Sequence, residues 1–224
     1  MRKSILIAII FAISVVKIAA QGNVRFSVFA NPSINWFVSN DNNVVYNDKS
    51  FGYDIGLTLD KFFAEKYAFT TGVSIGTLGG EMQCNSILNN FSTNNGDKQL
   101  PSGTNVAYNL QYINIPLGLR LKSVEIGYFT IYANLGFNNS FNIKATGSSS
   151  DLAKSLDNTN ISKMISFYNL AYFIGVGTEY SLGGTTALII GMNYNAGFTD
   201  ITSSSYDKAS LNSRNLALRL GILF

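Results

Sequence analysis

Arg25, Asp60, Arg120, Glu179 and Arg219 are charged residues set in otherwise apolar, alternating stretches of the chain. Groups of this kind either pair with one another or serve acid–base or ion-binding chemistry, because an isolated charge out of water is costly. Other reactive types are scarce. The chain has no histidine, which argues against Ser-His-Asp and Cys-His nucleophile systems and ordinary zinc sites. Cys84 is the single cysteine, and one thiol neither closes an internal disulfide nor holds zinc alone. Asp41 and Asp48 share one polar segment, where paired acids could meet calcium but are ordinarily solvated. The glycines of residues 72–80 fit close packing rather than a phosphate loop. Asn90, Asn138 and Asn160 open three-residue glycosylation sequons, which read as coincidence. No catalytic, metal or cofactor-binding site is expected, and no cofactor.

These charges need elements to position them, and the first question is where the mature chain begins. Arg2 and Lys3 precede an apolar run from Ile5 to Val16, and Ile18-Ala19-Ala20 precedes Gln21. This reads as a signal peptide over 1–20, because the run is shorter than the roughly 20 apolar residues that cross a bilayer as a helix. The rest, 21–224, is expected to be one domain. Of the 16 Lys and Arg residues, Arg2, Lys3 and Lys17 fall in the leader, leaving 13 basic residues against 13 Asp and Glu. The basic balance therefore belongs to the leader, and no clustered basic face suggests nucleic acid. Charged residues make up 13% of the chain. A soluble domain carries about 25%, so much of this surface is expected to face something other than water.

Beyond Ala20 no stretch approaches about 18 consecutive apolar residues, which argues against spanning helices. The pattern is instead one of period two. Leu216, Leu218, Leu220, Ile222 and Phe224 alternate with Asn215, Ala217, Arg219 and Gly221, and Ile113 to Leu121 alternates likewise with Asn114, Pro116, Gly118 and Arg120. Eight strands are predicted, near 23–38, 51–63, 67–79, 107–122, 124–143, 165–181, 185–199 and 211–224. Tight turns at 64–66, 122–123 and 182–184 alternate with longer Asn-, Ser-, Asp- and Gly-rich connections at 39–50, 80–106, 144–164 and 200–210. An even strand count with short turns at one end and long loops at the other predicts an all-β, eight-stranded antiparallel up-and-down transmembrane barrel in a bacterial outer membrane, both termini periplasmic. A secreted lipocalin-like barrel has the same strand count, but it turns its bulky side chains inward. Here the bulky face suits lipid and the Gly-, Ala-, Ser- and Asn-rich face suits a narrow lumen.

Carried through, the alternation points Arg25, Asp60, Arg120, Glu179 and Arg219 into the lumen near the periplasmic end, where an ion-paired plug is expected. Phe62, Tyr67, Phe69, Tyr180 and Phe224 are assigned to the periplasmic aromatic rim. Trp36, Phe51, Tyr53, Phe137, Tyr194 and Phe198 are assigned to the outer one. An interior just wide enough for its own side chains is not expected to be a diffusion pore. The expected partners are outer-membrane lipid and, through the C-terminal strand, the barrel-assembly machinery.

The segment Leu110-Gln-Tyr-Ile-Asn-Ile-Pro-Leu-Gly-Leu-Arg-Leu-Lys122 resembles a strand of the PorT-like outer-membrane β-barrel proteins of Bacteroidetes. Residues 179–187, centred on Gly183-Gly184, resemble the penultimate hairpin of that family, and residues 215–224 its closing strand. Asn114 departs from the pattern, where the family often has an acid. The resemblance implies a non-enzymatic barrel, a porin-family fold and a link to type IX protein secretion, with secretion-system proteins as partners. Small-solute permeation and adhesion through the loops at 80–106 and 144–164 are the competing expectations.

Overall fold

In a computed structural model, the description covers residues 23–39, 44–84, 88–93, 96–149, 157–202 and 211–224. The segment 1–20, read as a leader, and Asp41 of the Asp41–Asp48 pair lie outside it. Its strands are β1 (Val24–Ser39), β2 (Val44–Ala64), β3 (Tyr67–Cys84), β4 (Leu88–Thr93), β5 (Gly96–Leu100), β6 (Asn105–Lys122), β7 (Phe129–Ser148), β8 (Thr159–Asn160), β9 (Tyr168–Gly183), β10 (Thr186–Gly197) and β11 (Leu211–Leu223). Eight of them form one antiparallel sheet in the order β6-β3-β2-β1-β11-β10-β9-β7, and β6 pairs back onto β7 to close it. Closure removes both free edges. The chain is an eight-stranded up-and-down barrel.

Alternation sets the two faces. Along β1, Ser27, Phe29, Asn31, Ser33, Asn35 and Phe37 are buried, while Val28 and Ile34 between them are exposed. The outer wall carries the bulky set: Ile55, Leu57, Leu117, Ile174, Val176, Ile190 and Leu218 all show their side chains outward. Apolar surface on this scale is unfavourable in water and natural against hydrocarbon.

The predicted strands are present, but several boundaries shift. β2 begins at Val44 and β3 runs to Cys84, so the connection expected over 39–50 is shorter and the strands rise further past the barrel mouth. The loop expected at 80–106 contains the β4–β5 hairpin. The turn expected at 122–123 spans 123–128, held by reciprocal backbone bonds between Ile126 and Phe129. The β9–β10 turn is tight, with Gly183 (φ 105°) and Gly184 (φ 61°) in the left-handed region that side chains disfavour.

Candidate functional site

The lumen has three layers, and side-chain parity builds each. At the short-turn end, Asp60 on β2, Arg120 on β6 and Glu179 on β9 all point inward. Arg120 Nη1 donates to Asp60 Oδ2 at 2.8 Å, and its Nη2 lies 3.1 Å from Glu179 Oε1. Asp60 Oδ1 accepts a second bond from Thr70 Oγ1 at 2.6 Å. Lys122 Nζ reaches Glu179 Oε2 at 2.5 Å, and Arg25 Nη1 stands 3.9 Å from the same oxygen. Glu179 therefore collects three cations while Asp60 holds one. Arg120, 1% exposed, spans the barrel between them, and its guanidinium stacks 4.1 Å over the Tyr132 ring.

Two of the assignments for this layer need correction. Arg219 does not join the network: among the described residues no carboxylate lies within ion-pairing distance of it. Its guanidinium stacks 4.3 Å over the Phe29 ring, and Nη2 donates to Thr58 Oγ1 at 3.1 Å. The side chain leans toward β1 and β2 rather than across to Glu179. Lys122, taken in the sequence for a turn residue, is a full member. It shares even parity with Arg120, so its side chain also faces the lumen.

The middle layer is a polar chamber of about 120 Å³. Asp54 takes a bond from Asn114 Nδ2 at 3.1 Å and one from Asn31 Nδ2 at 3.4 Å, while Ser140 Oγ donates to Asn114 Oδ1 at 2.7 Å. An amide ladder runs from β10 across β11 and β1 to β3. Asn195 Nδ2 donates to Asn215 Oδ1 at 2.9 Å, Asn215 donates to Asn35, and Asn35 Nδ2 donates to the Thr77 carbonyl at 3.3 Å. The third layer, at the long-loop end, is apolar. Phe37, Met82, Leu100, Val106, Tyr108 and Leu110 pack there with Ile161, Met164 and Ile201 from the loops. Strand parity accounts for Val106, Tyr108, Leu110 and Tyr112, but no sequence period announces Ile161, Met164, Ile165 and Ile201, which come from irregular segments.

The aromatic rims are distributed as follows. At the short-turn end Tyr67, Phe69, Tyr180 and Phe224 are exposed on the wall. Phe62 is not: it lies under Arg25 and Lys122, with ring distances of 5.8 and 5.6 Å. Phe62 has the even parity of Asp60 and so faces inward, whereas Phe63 takes the wall position, its ring 4.7 Å from Phe69. Toward the long-loop end, Trp36, Tyr194, Tyr172, Phe198 and Phe137 form a continuous chain of ring contacts at 5.2 to 6.5 Å. Tyr172 completes this rim, in contact with both Tyr194 and Phe198. Phe51 is 89% exposed and Tyr53 also faces outward, on the far side of the barrel.

A family model for the outer membrane protein beta-barrel domain matches residues 19–203. The chain belongs to this family. It is an outer-membrane barrel, and the lipid-facing wall described above is the surface that the membrane contacts. No curated protein matches this barrel by sequence. Among solved structures it is similar to a major outer membrane protein from Thermus thermophilus, at 15% identity and a TM-score of 0.49 over 90% of this chain and 98% of that one. It is also similar to Neisserial surface protein A, at 14% identity and 0.47 over 88% and 95%. OprG from Pseudomonas aeruginosa gives 12% identity and 0.45 over 89% and 94%. Among the described residues of this barrel, no cluster of three or more acids, cysteines or histidines could hold a metal ion.

Proposed function

We propose that this outer-membrane barrel is a closed, non-conducting and non-enzymatic element that meets its partners through its wall and long loops. One observation carries the reading: the lumen is filled at both ends, by the Arg120–Asp60–Glu179 network at one and by the Phe37–Tyr108–Ile161 cluster at the other. An eight-stranded interior leaves little space beyond its own side chains, and ion-paired groups in a dry lumen are costly to separate. In this reading the short-turn end, where Asn23 and Phe224 lie, faces the periplasm. Residues 1–20 serve as the export signal, and the closing strand that ends at Phe224 is the segment that the barrel-assembly machinery engages. The resemblance of residues 110–122, 179–187 and 215–224 to PorT-like strands makes type IX secretion the partner system to examine first.

Planar bilayers test the closed lumen. Reconstituted full-length protein is expected to give no conductance steps above those of a protein-free bilayer, and stable ohmic steps that scale with protein would reject the reading. Deleting the gene is expected to lower release of secreted proteins that carry the type IX C-terminal signal. Unchanged release would remove the secretion assignment and leave the closed barrel intact.

A further inference from the structure

We propose that the middle chamber is a binding site for a small zwitterion, a molecule of glycine or alanine size with one carboxylate and one ammonium group. The site goes beyond a closed barrel, since a ligand reaches the chamber past one plug without crossing both.

The chamber holds two opposite charges that do not reach each other. Arg219 is 6% exposed, and among the described residues no acid pairs with it. Its Nη2 is used by Thr58, but its Nε has no hydrogen-bond partner. Asp54 lines the same chamber, and among the described residues it is met by neutral amides rather than by a cation. A buried charge without a counter-charge is expensive, and Arg219 stands in that state, whereas Arg120, Asp60 and Glu179 pair with one another; Asp54 is half-buried on the chamber wall. The two unpaired groups sit on nearby strands, β11 and β2, separated by β1.

The neutral lining adds a direction. The Oδ1 atoms of Asn31, Asn134 and Asn193 are buried without hydrogen-bond partners, in residues 4%, 7% and 8% exposed. Asn134 and Asn193 flank Gly175 on its two neighbouring strands. Both carbonyl oxygens crowd the place where a Gly175 side chain would stand, at 3.2 and 2.0 Å from an ideal Cβ. The free acceptor of Asn31 beside Asp54, with those of Asn134 and Asn193 elsewhere on the chamber wall, suits an ammonium group with its three donors, and a free guanidinium edge suits a carboxylate. A single anion would leave Asp54 unpaired, and a single cation would leave Arg219 unpaired. Only a ligand with both ends satisfies both. Its size is set by the chamber: about 120 Å³ is slightly less than a cavity of about 150 Å³ that accommodates benzene, which limits the ligand to about six heavy atoms.

The test is equilibrium dialysis of radiolabelled glycine against full-length protein in detergent micelles, run until uptake is constant because the ligand must pass one of the plugs. Saturable uptake is expected, displaced by alanine but at least about tenfold less well by acetate, methylammonium or tryptophan. Arg219→Gln and Asp54→Asn are each expected to weaken glycine binding by about 10- to 100-fold while the far-ultraviolet circular dichroism of the barrel is kept. Where a variant fails to fold, the competition series on the natural protein decides alone. Absence of saturable uptake, displacement by acetate or methylammonium as good as by alanine, or unchanged binding in the folded variants would each overturn the proposal. None of these outcomes bears on conductance, so the two readings fail separately.

Discussion

The Arg120 guanidinium lies over the Tyr132 ring inside the barrel, its carbon 4.1 Å from the ring centroid. This stacking is what lets one side chain serve two carboxylates. The ring supports the guanidinium plane from one face and leaves its edge free, so Nη1 points to Asp60 and Nη2 to Glu179. Replacing Arg120 with Met leaves Asp60 buried without its counter-charge, while Glu179 keeps Lys122 and Arg25. The expected loss is about 3–5 kcal/mol, the range for breaking a buried pair from one side, measured by urea unfolding in lipid vesicles. Arg120→Lys keeps the charge but loses the fork and the stacking, so it should recover only part of that loss. Full recovery would show that charge alone matters there.

The hydroxyl end of Tyr132 sits against glycine. Gly177 and Gly191 are cross-strand partners, and a Cβ on either would come within 2.5 or 2.4 Å of the Tyr132 hydroxyl. Gly177→Ala must therefore push the ring toward Arg120 or out of its rotamer. A destabilisation of about 1–3 kcal/mol is expected, as for overpacking elsewhere. Tyr132→Phe in the same background removes the hydroxyl but leaves the ring carbon at 2.6 Å and the Ile190 carbonyl at 2.5 Å, so the double variant should be more stable than the sum of the two single effects predicts by only part of the Gly177→Ala loss. Strict additivity in a double-mutant cycle would place the clash elsewhere.

The asparagine ladder gives a polar counterpart. Asn215 accepts from Asn195 and donates to Asn35. Asn215→Ala leaves the part-buried Asn195 amide donor without a partner and the buried Asn35 oxygen with only the long bond from Ser33 Oγ, at an expected cost of about 1–3 kcal/mol. Asn215→Leu fills the volume but leaves the same two groups, so it should not restore stability. Restoration by Leu would show that the ladder serves only to fill space.

How far the sequence foretells these arrangements depends on the kind of signal each carries. Parity is a property of the strand alone, and it places Asp60, Arg120 and Glu179 on the lumen face without any knowledge of partners. The same rule, applied strictly, also places Lys122 and Phe62 inside. They are missed only when strand ends are read as turns or rims. Which neighbour a long side chain leans toward is a different matter. Arg219 shares the face of the other charges but bends over Phe29 toward Thr58, and nothing in a one-dimensional pattern sets that torsion. The apolar plug is further still from legible, since Ile161, Met164 and Ile201 come from aperiodic loops that are shaped by where the strands deliver them.

The wall and the lumen of one strand should respond oppositely to charge. Leu218 and Ala217 are consecutive on β11, the first facing outward at 43% exposure and the second inward at 5%. Leu218→Arg places a cation against hydrocarbon near the middle of the strand, for which about 2–4 kcal/mol is the expected cost at the membrane midplane. Ala217→Ser adds one hydroxyl beside the amide ladder, where Ser33 and Asn193 are its cross-strand neighbours and can share hydrogen bonds. Its cost is expected to be well under half of that. The comparison is made by urea unfolding in vesicles of two acyl-chain lengths. The Leu218→Arg penalty should shrink in the thinner bilayer, where the interface lies closer to the substituted position, while Ala217→Ser should not respond to thickness. A Leu218→Arg penalty that is independent of thickness would mean that this face of β11 is covered by protein rather than by lipid.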